Sequence, residues 1–243
     1  MKAIGLLFLA VTSLSAQHHE HAASAPDSAG MAEAADEARR EMGGQVISFI
    51  QGDRLEYQTN EGAGRFLWEG QGWTGTDYNR LWVKTEGERL IEDGRTEGAE
   101  VQALYSRPIS SYFDVQAGLR QDFTPGARRT FGVVGIQGLA PYWFEIDTAL
   151  FVSNDGDVSA RFETEYDLRF TQRLILQPRA EANVAFQNVP RLGIEAGLAG
   201  FEGGARLRYE FKRELAPYIG FSWEHVAGEP RRLSLVTGLR LWF

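Results

Sequence analysis

From Val46 to the C-terminus, apolar and polar residues alternate with a period of two. That period marks half-buried strands rather than helices. The last stretch puts Leu233, Leu235, Thr237, Leu239, Leu241 and Phe243 on one face, with Ser234, Val236, Gly238, Arg240 and Trp242 on the other. Residues 158–170 set Val158, Ala160, Phe162, Thr164, Tyr166, Leu168 and Phe170 against Ser159, Arg161, Glu163, Glu165, Asp167 and Arg169. Residues 201–211 set Phe201, Gly203, Ala205, Leu207, Tyr209 and Phe211 against Glu202, Gly204, Arg206, Arg208 and Glu210. Residues 174–186 repeat the pattern, with Gln177, Arg179, Glu181 and Asn183 on the polar side. About twelve strands are predicted, over 46–57, 64–74, 79–88, 97–106, 112–123, 130–139, 143–152, 158–170, 174–186, 200–211, 216–225 and 233–243. The alternation is blurred in the first, second and sixth.

Strands of about ten residues match the length of a tilted membrane-crossing strand. The connections 108–111, 140–141, 171–173 and 213–215 read as tight; 89–96, 124–129, 153–157, 187–199 and 226–232 read as longer and more polar. Tight turns on one side and long loops on the other are the pattern of an outer-membrane barrel. Tyr112, Tyr142 and Trp143 fall beside tight turns, where an aromatic girdle belongs. A secreted soluble barrel would also alternate, with its apolar face inward. Two features favour the membrane. The charged faces mix both signs densely, as in a lumen paired across strands. The apolar faces include Ala180, Ala182, Gly203 and Ala205, which lipid tolerates but which would fill a single-barrel core poorly. The expected fold is all-β: a transmembrane antiparallel up-and-down barrel over 46–243.

Composition agrees with that reading. The chain has 243 residues, 27 Gly, 8 Pro and 12% aromatics, with a mean hydropathy of −0.30. Such a mean excludes a helical span but not a barrel, whose strands carry a polar residue at every second position. There is no Cys, which removes disulfides, thiolate metal sites and cysteine nucleophiles. A net charge of −8 makes nucleic acid an unsuitable partner.

Residues 1–16 read as a secretory signal: Met1-Lys2, an apolar run to Leu14, then Ser15-Ala16. Residues 17–45 form a head with too few branched apolar residues to build a core. Ala32 to Met42 could form a short helix stopped by Gly43-Gly44. The head holds His18, His19 and His21, with Met31 and Met42 beyond. Imidazole suits Cu, Ni and Zn, and thioether sulfur suits Cu(I), so these five are the candidate metal ligands. Cleavage after Ala16 would make His19 the third residue, able to complete a square-planar Cu(II) cage with the amine and two amides. Met31 and Met42 lie about 16 Å apart on a helix and cannot share one ion there.

Placing the charged faces inward gives a lumen in which most Arg and Glu pair and fill the tube. Its candidate cation path is Glu145, Asp147, Glu163, Glu165, Asp167 and Glu181, since rings of carboxylates select cations. Lys remains only at Lys84 and Lys212 after the signal, so Arg supplies the permanent positive charge. Catalytic signatures are weak. His225 has Ser222 and Glu224 near it in sequence, yet both point to the opposite face of a regular strand. Asp155-Gly156-Asp157 reads as a hairpin turn before a calcium ligand set.

Longer strings carry a family resemblance. They include Asp53-Arg54-Leu55-Glu56-Tyr57, Asp77-Tyr78-Asn79-Arg80-Leu81-Trp82, Gln102-Ala103-Leu104-Tyr105-Ser106-Arg107, Ala140-Pro141-Tyr142-Trp143-Phe144-Glu145 and Ala216-Pro217-Tyr218-Ile219-Gly220. With Gly238-Leu239-Arg240-Leu241-Trp242-Phe243, they make the chain similar to the copper resistance protein B family from about residue 50 onward. The resemblance implies an outer-membrane barrel of a Gram-negative cell, head in the periplasm. It implies binding of Cu(I) or Cu(II), help in sequestering or exporting copper, and no enzymatic activity. Its implied partners are membrane lipid and a periplasmic multicopper oxidase of the copper resistance protein A type. The family's head is often long and rich in Met and His; here it is short. A barrel that only docks the oxidase, and an outer-membrane lipid hydrolase using His225, are the alternatives.

Overall fold

The computed structural model describes residues 30–31, 33–37, 44–60, 63–92, 94–124, 127–228 and 230–243. Residues 30–31 and 33–37 are helical, with Met31 58% exposed. His18, His19, His21 and Met42 lie outside the described residues. Residues 1–41 and 42–243 are two separate units.

The second unit is almost entirely sheet. Its strands are β1 (Ile47–Asn60), β2 (Ala63–Gly75), β3 (Arg80–Leu90), β4 (Thr96–Pro108), β5 (Phe113–Thr124), β6 (Ala127–Ala140) and β7 (Phe144–Ser153). They continue with β8 (Val158–Glu165), β9 (Leu168–Arg169), β10 (Leu174–Ala185), β11 (Gly197–Tyr209), β12 (Leu215–Val226) and β13 (Arg232–Trp242). Successive strands pair antiparallel, except that β8 and β9 do not pair with each other and both lie against β10; β1 pairs with β13 from Gln51↔Trp242 to Thr59↔Leu235, closing the cylinder. Closure leaves no unpaired edge, which is what lets a sheet stand in lipid. No described helix is long and apolar enough to cross a membrane.

β8 and β9 are two pieces of one stave, so the barrel has twelve. The predicted strand 158–170 is cut at Tyr166 and Asp167 because Pro178 stands opposite. The Pro178 carbonyl accepts from the Tyr166 N–H at 3.1 Å, but proline returns no N–H.

The side chains sort as the alternation requires. Leu81, Val83, Leu119, Val134, Phe162, Ile219, Leu233 and Leu235 point outward and are exposed. Arg54, Glu56, Arg179, Arg206, Arg208, Gln116 and Ser234 point inward and are buried. β1 departs from strict alternation. Gly52 pairs with Gly70 and Arg54 with Glu69, so Asp53 is an extra residue in a β-bulge. The bulge shifts the phase: Phe49, Gln51 and Asp53 face the lumen, and so do Arg54, Glu56 and Gln58.

We call the end carrying Ile47 and Trp242 the terminal rim and the opposite end the distal rim. Terminal-rim connections span 76–79, 109–112, 141–143, 170–173 and 210–214. Distal ones span 61–62, 91–95, 125–126, 154–157, 186–196 and 227–231. The expected contrast of short and long sides is therefore confined to 186–196. Elsewhere the strands run further than predicted, and the loop expected at 124–129 shrinks to two residues as the ladder extends to Thr124↔Ala127. Around the terminal rim stand Tyr142, Trp143, Tyr112, Phe170, Phe211 and Phe243, all exposed, as an interfacial girdle requires.

Candidate functional site

Two cavities stand out in the lumen among the described residues. The larger, about 1160 Å³, reaches the terminal rim and is lined by nine carboxylates and five basic side chains. The smaller, about 410 Å³, lies toward the distal rim and is lined by eight carboxylates and three arginines. Both therefore carry an excess of negative charge, the condition for attracting cations.

Between them runs a layer of ion pairs. Arg54 reaches Glu69 at 2.6 Å and Glu202 at 3.0 Å. Arg179 has five carboxylates around it: Glu163 and Glu181 at 2.9 Å, Glu165 at 3.1 Å, Glu69 at 3.4 Å and Glu202 at 3.5 Å. Arg161, on β8, crosses the lumen to Glu86 on β3 at 2.9 Å and Glu100 on β4 at 3.1 Å. Behind this layer Arg206 holds Glu56 at 2.7 Å. Charge-assisted bonds of this kind contribute about 1.5–3 kcal/mol each when both partners are present.

The six predicted path carboxylates divide by partner. Asp147 pairs with Lys84 across the barrel. Glu163, Glu165 and Glu181 all surround Arg179, and Asp167 pairs with Arg208 at 2.8 Å. Glu145 lines the larger cavity, and its side chain has no hydrogen-bond or ion-pair partner among the described residues. Five of the six are thus spent on guanidinium or ammonium groups, and one stands free.

An inner aromatic arc escaped the sequence reading. Trp242, Phe49, Trp73 and Trp82 follow one another at centroid spacings of 6.3, 6.4 and 6.1 Å. Arg80 lies 5.0 Å from the Trp73 ring centre, and Lys84 lies 5.7 Å from that of Trp82. Below them Leu104, Val133, Phe131 and Phe151 pack with Trp82 as an apolar patch inside the barrel. The signal was available, since Trp242 shares a face with Ser234 and Arg240.

Other expectations resolve locally. Ser222 donates to Glu202 at 3.0 Å and Glu224 pairs with Arg65 at 2.9 Å, both in the lumen; His225 takes the alternate face. No nucleophile–base pair forms there. The Asp155-Gly156-Asp157 segment is a turn, with Gly156 at φ +87° and both Asp N–H groups donating to Ser153 Oγ. Its carboxylates serve arginines. Asp155 binds Arg191 at 2.6 Å, and Asp157 binds Arg129 at 2.6 Å as well as Arg191. Desolvation pushes the Asp157 carboxyl up, but the Arg191 and Arg129 guanidiniums outweigh it and hold it below the usual carboxylate range. No group of three or more His, Asp or Glu among the described residues is placed to hold a metal ion.

The family described as "Copper resistance protein B precursor" matches residues 46–243. A protein of Escherichia coli named Copper resistance protein B is 42% identical over 202 residues, covering 79% of this chain and 68% of its own length. A Copper resistance protein B homolog of Pseudomonas syringae pv. tomato is 41% identical over 209 residues, covering 82% of this chain and 70% of its own. Among solved structures, the NanC porin aligns with a TM-score of 0.55 at 12% identity, over 80% of this chain and 99% of that one. The KdgM porin aligns with a TM-score of 0.53 at 10% identity, over 81% and 99%. These two likenesses are of fold alone.

Proposed function

The chain belongs to the copper resistance protein B family, and on that premise we propose that it binds copper ions at the outer membrane and helps to export or sequester them through its lumen. The observation that carries the reading is the excess of carboxylates in both cavities. Copper enters as cargo. The lumen offers oxygen ligands, and among its described lining residues there is no thiolate, thioether or imidazole. That chemistry suits hydrated Cu(II) in passage rather than Cu(I). Weak, repeated carboxylate contacts also suit transit, because an ion held too firmly does not leave.

In this reading the terminal rim faces the periplasm. The head supplies capture through His18, His19 and His21, with Met31 and Met42 available to Cu(I). A periplasmic multicopper oxidase is the partner from which copper would arrive. The test is copper tolerance of cells lacking the native gene and carrying variants. Neutralising Glu145 and Glu163 together should lower tolerance toward that of the empty strain. Deleting residues 18–21 should lower it less. Unchanged tolerance in the carboxylate variant would leave the barrel a docking body without a route for ions.

A further inference from the structure

The two cavities share only Glu86 and Arg161 among their described lining residues. The wall between them is thus thinnest at one ion pair. Arg161 is a transluminal bar: Nη1 donates to Glu86 at 3.0 Å and to Glu100 at 3.2 Å, and Nη2 donates to Glu100 at 3.1 Å. On its own side, Nε lies 3.3 Å from Asn183 Oδ1 and 3.6 Å from Glu181 Oε1. The guanidinium therefore already touches both resting places available to it, the far wall and the near one.

We propose that Arg161 is the gate of the lumen, a tethered cation standing in the passage that a permeating cation would use. This deepens the cation-route reading above and rests on it. When Arg161 falls back onto Glu181 and Asn183, the two carboxylates it leaves behave differently. Glu100 keeps Arg120 at 2.6 Å, whereas Glu86 has no second basic partner among the described residues. Glu86 is then the carboxylate bared to the passage, and a hydrated cation replaces the guanidinium against it. An anion gains nothing from the same motion, because both vestibules are acidic. The bar thus sets openness and charge selectivity together.

The test is single-channel recording in planar bilayers with the purified full chain under a KCl gradient. Folding of each variant is checked by heat-modifiable migration on gels. Arg161→Gln should raise K⁺ conductance by about tenfold, the share of the barrier carried by one charge-assisted bond. The reversal potential should favour K⁺ over Cl⁻. Glu86→Gln, which leaves every arginine in place, should raise it by about threefold with weaker selectivity, since only one contact of the bar is lost. A folded Arg161→Gln with wild-type current, or with a raised current that favours Cl⁻, would overturn the gate. If Arg161→Gln does not fold, wild-type current in Glu86→Gln overturns it instead. Copper tolerance of cells carrying the same variants reads the parent proposal separately. Raised current with unchanged tolerance overturns the copper route and leaves the gate standing. Altered tolerance with unchanged current does the reverse.

Discussion

The two halves of the barrel interior are built on opposite principles. Along β10, β11 and β1, permanently charged side chains fill the tube: Arg179, Arg206 and Glu56 are 2%, 3% and 0% exposed. Along β2 to β7, the inner face carries Trp73, Trp82, Leu104, Val133 and Phe151, and the larger cavity opens in front of them. An arginine is long and must find partners, so each one draws carboxylates inward and closes space. A tryptophan ring or a valine packs against its neighbours without drawing a counter-charge inward, and leaves the volume beyond it open. The ionic side therefore gives rigidity and the apolar side gives room, and Arg161 stands where the two meet.

That contrast can be broken most sharply on the ionic side. Arg179→Ala removes one cation from among five carboxylates and should cost about 3–5 kcal/mol, since uncompensated charge is left behind. Chemical unfolding of the detergent-solubilised barrel measures it. Leu104→Ala, on the apolar side, should cost about 2–4 kcal/mol in the same assay, within the range for buried leucines.

A double replacement sharpens the point. Arg206→Leu alone should cost about 3 kcal/mol, and adding Glu56→Leu should recover most of it, because an apolar pair of similar volume often substitutes for a buried ion pair without loss. A double variant as unstable as the single one would show that the pair does more than fill space. Glu145→Gln should change stability by less than about 0.5 kcal/mol, as expected where no partner is lost. It should still weaken cation preference in reversal-potential measurements.

The smallest expected effect lies outside the membrane, at the distal rim. Arg191 ties the 186–196 loop to Asp155 and Asp157, and the Asp157 carboxyl titrates below the usual range. A carboxyl lowered in the folded state stabilises above its unfolded pKa, and that contribution is lost as pH falls through the folded value. Proteolysis of this loop should therefore be slow at about pH 7 and quicken below about pH 4, the usual range of aspartate. Equal cleavage across that interval would sink the latch.

Most of the fold was legible because one constraint repeats through the whole barrel: a lipid-facing residue must be apolar and its neighbours must not be. Twelve staves and their polarity follow from that alone. The exceptions have local causes. The blurred first strand reflects the Asp53 bulge, which reverses phase mid-strand. The interruption near Tyr166 comes from Pro178 on the adjacent strand. Neither consequence is visible until register is known. The lumen carboxylates were legible by type and face, but their partners were not. Arg161 to Glu86 spans 75 residues and five strands, a reach set by barrel diameter rather than by spacing. The inner aromatic arc was not legible as an arc because Phe49, Trp73, Trp82 and Trp242 lie on four strands that only the pairing and closure of the barrel bring side by side.

The most direct test of the account is Cu(II) entry into proteoliposomes loaded with a fluorescent chelator, comparing wild type with the Glu145→Gln/Glu163→Gln variant. Wild-type influx should exceed that of protein-free vesicles and fall in the variant. Wild-type influx no faster than in protein-free vesicles would contradict it.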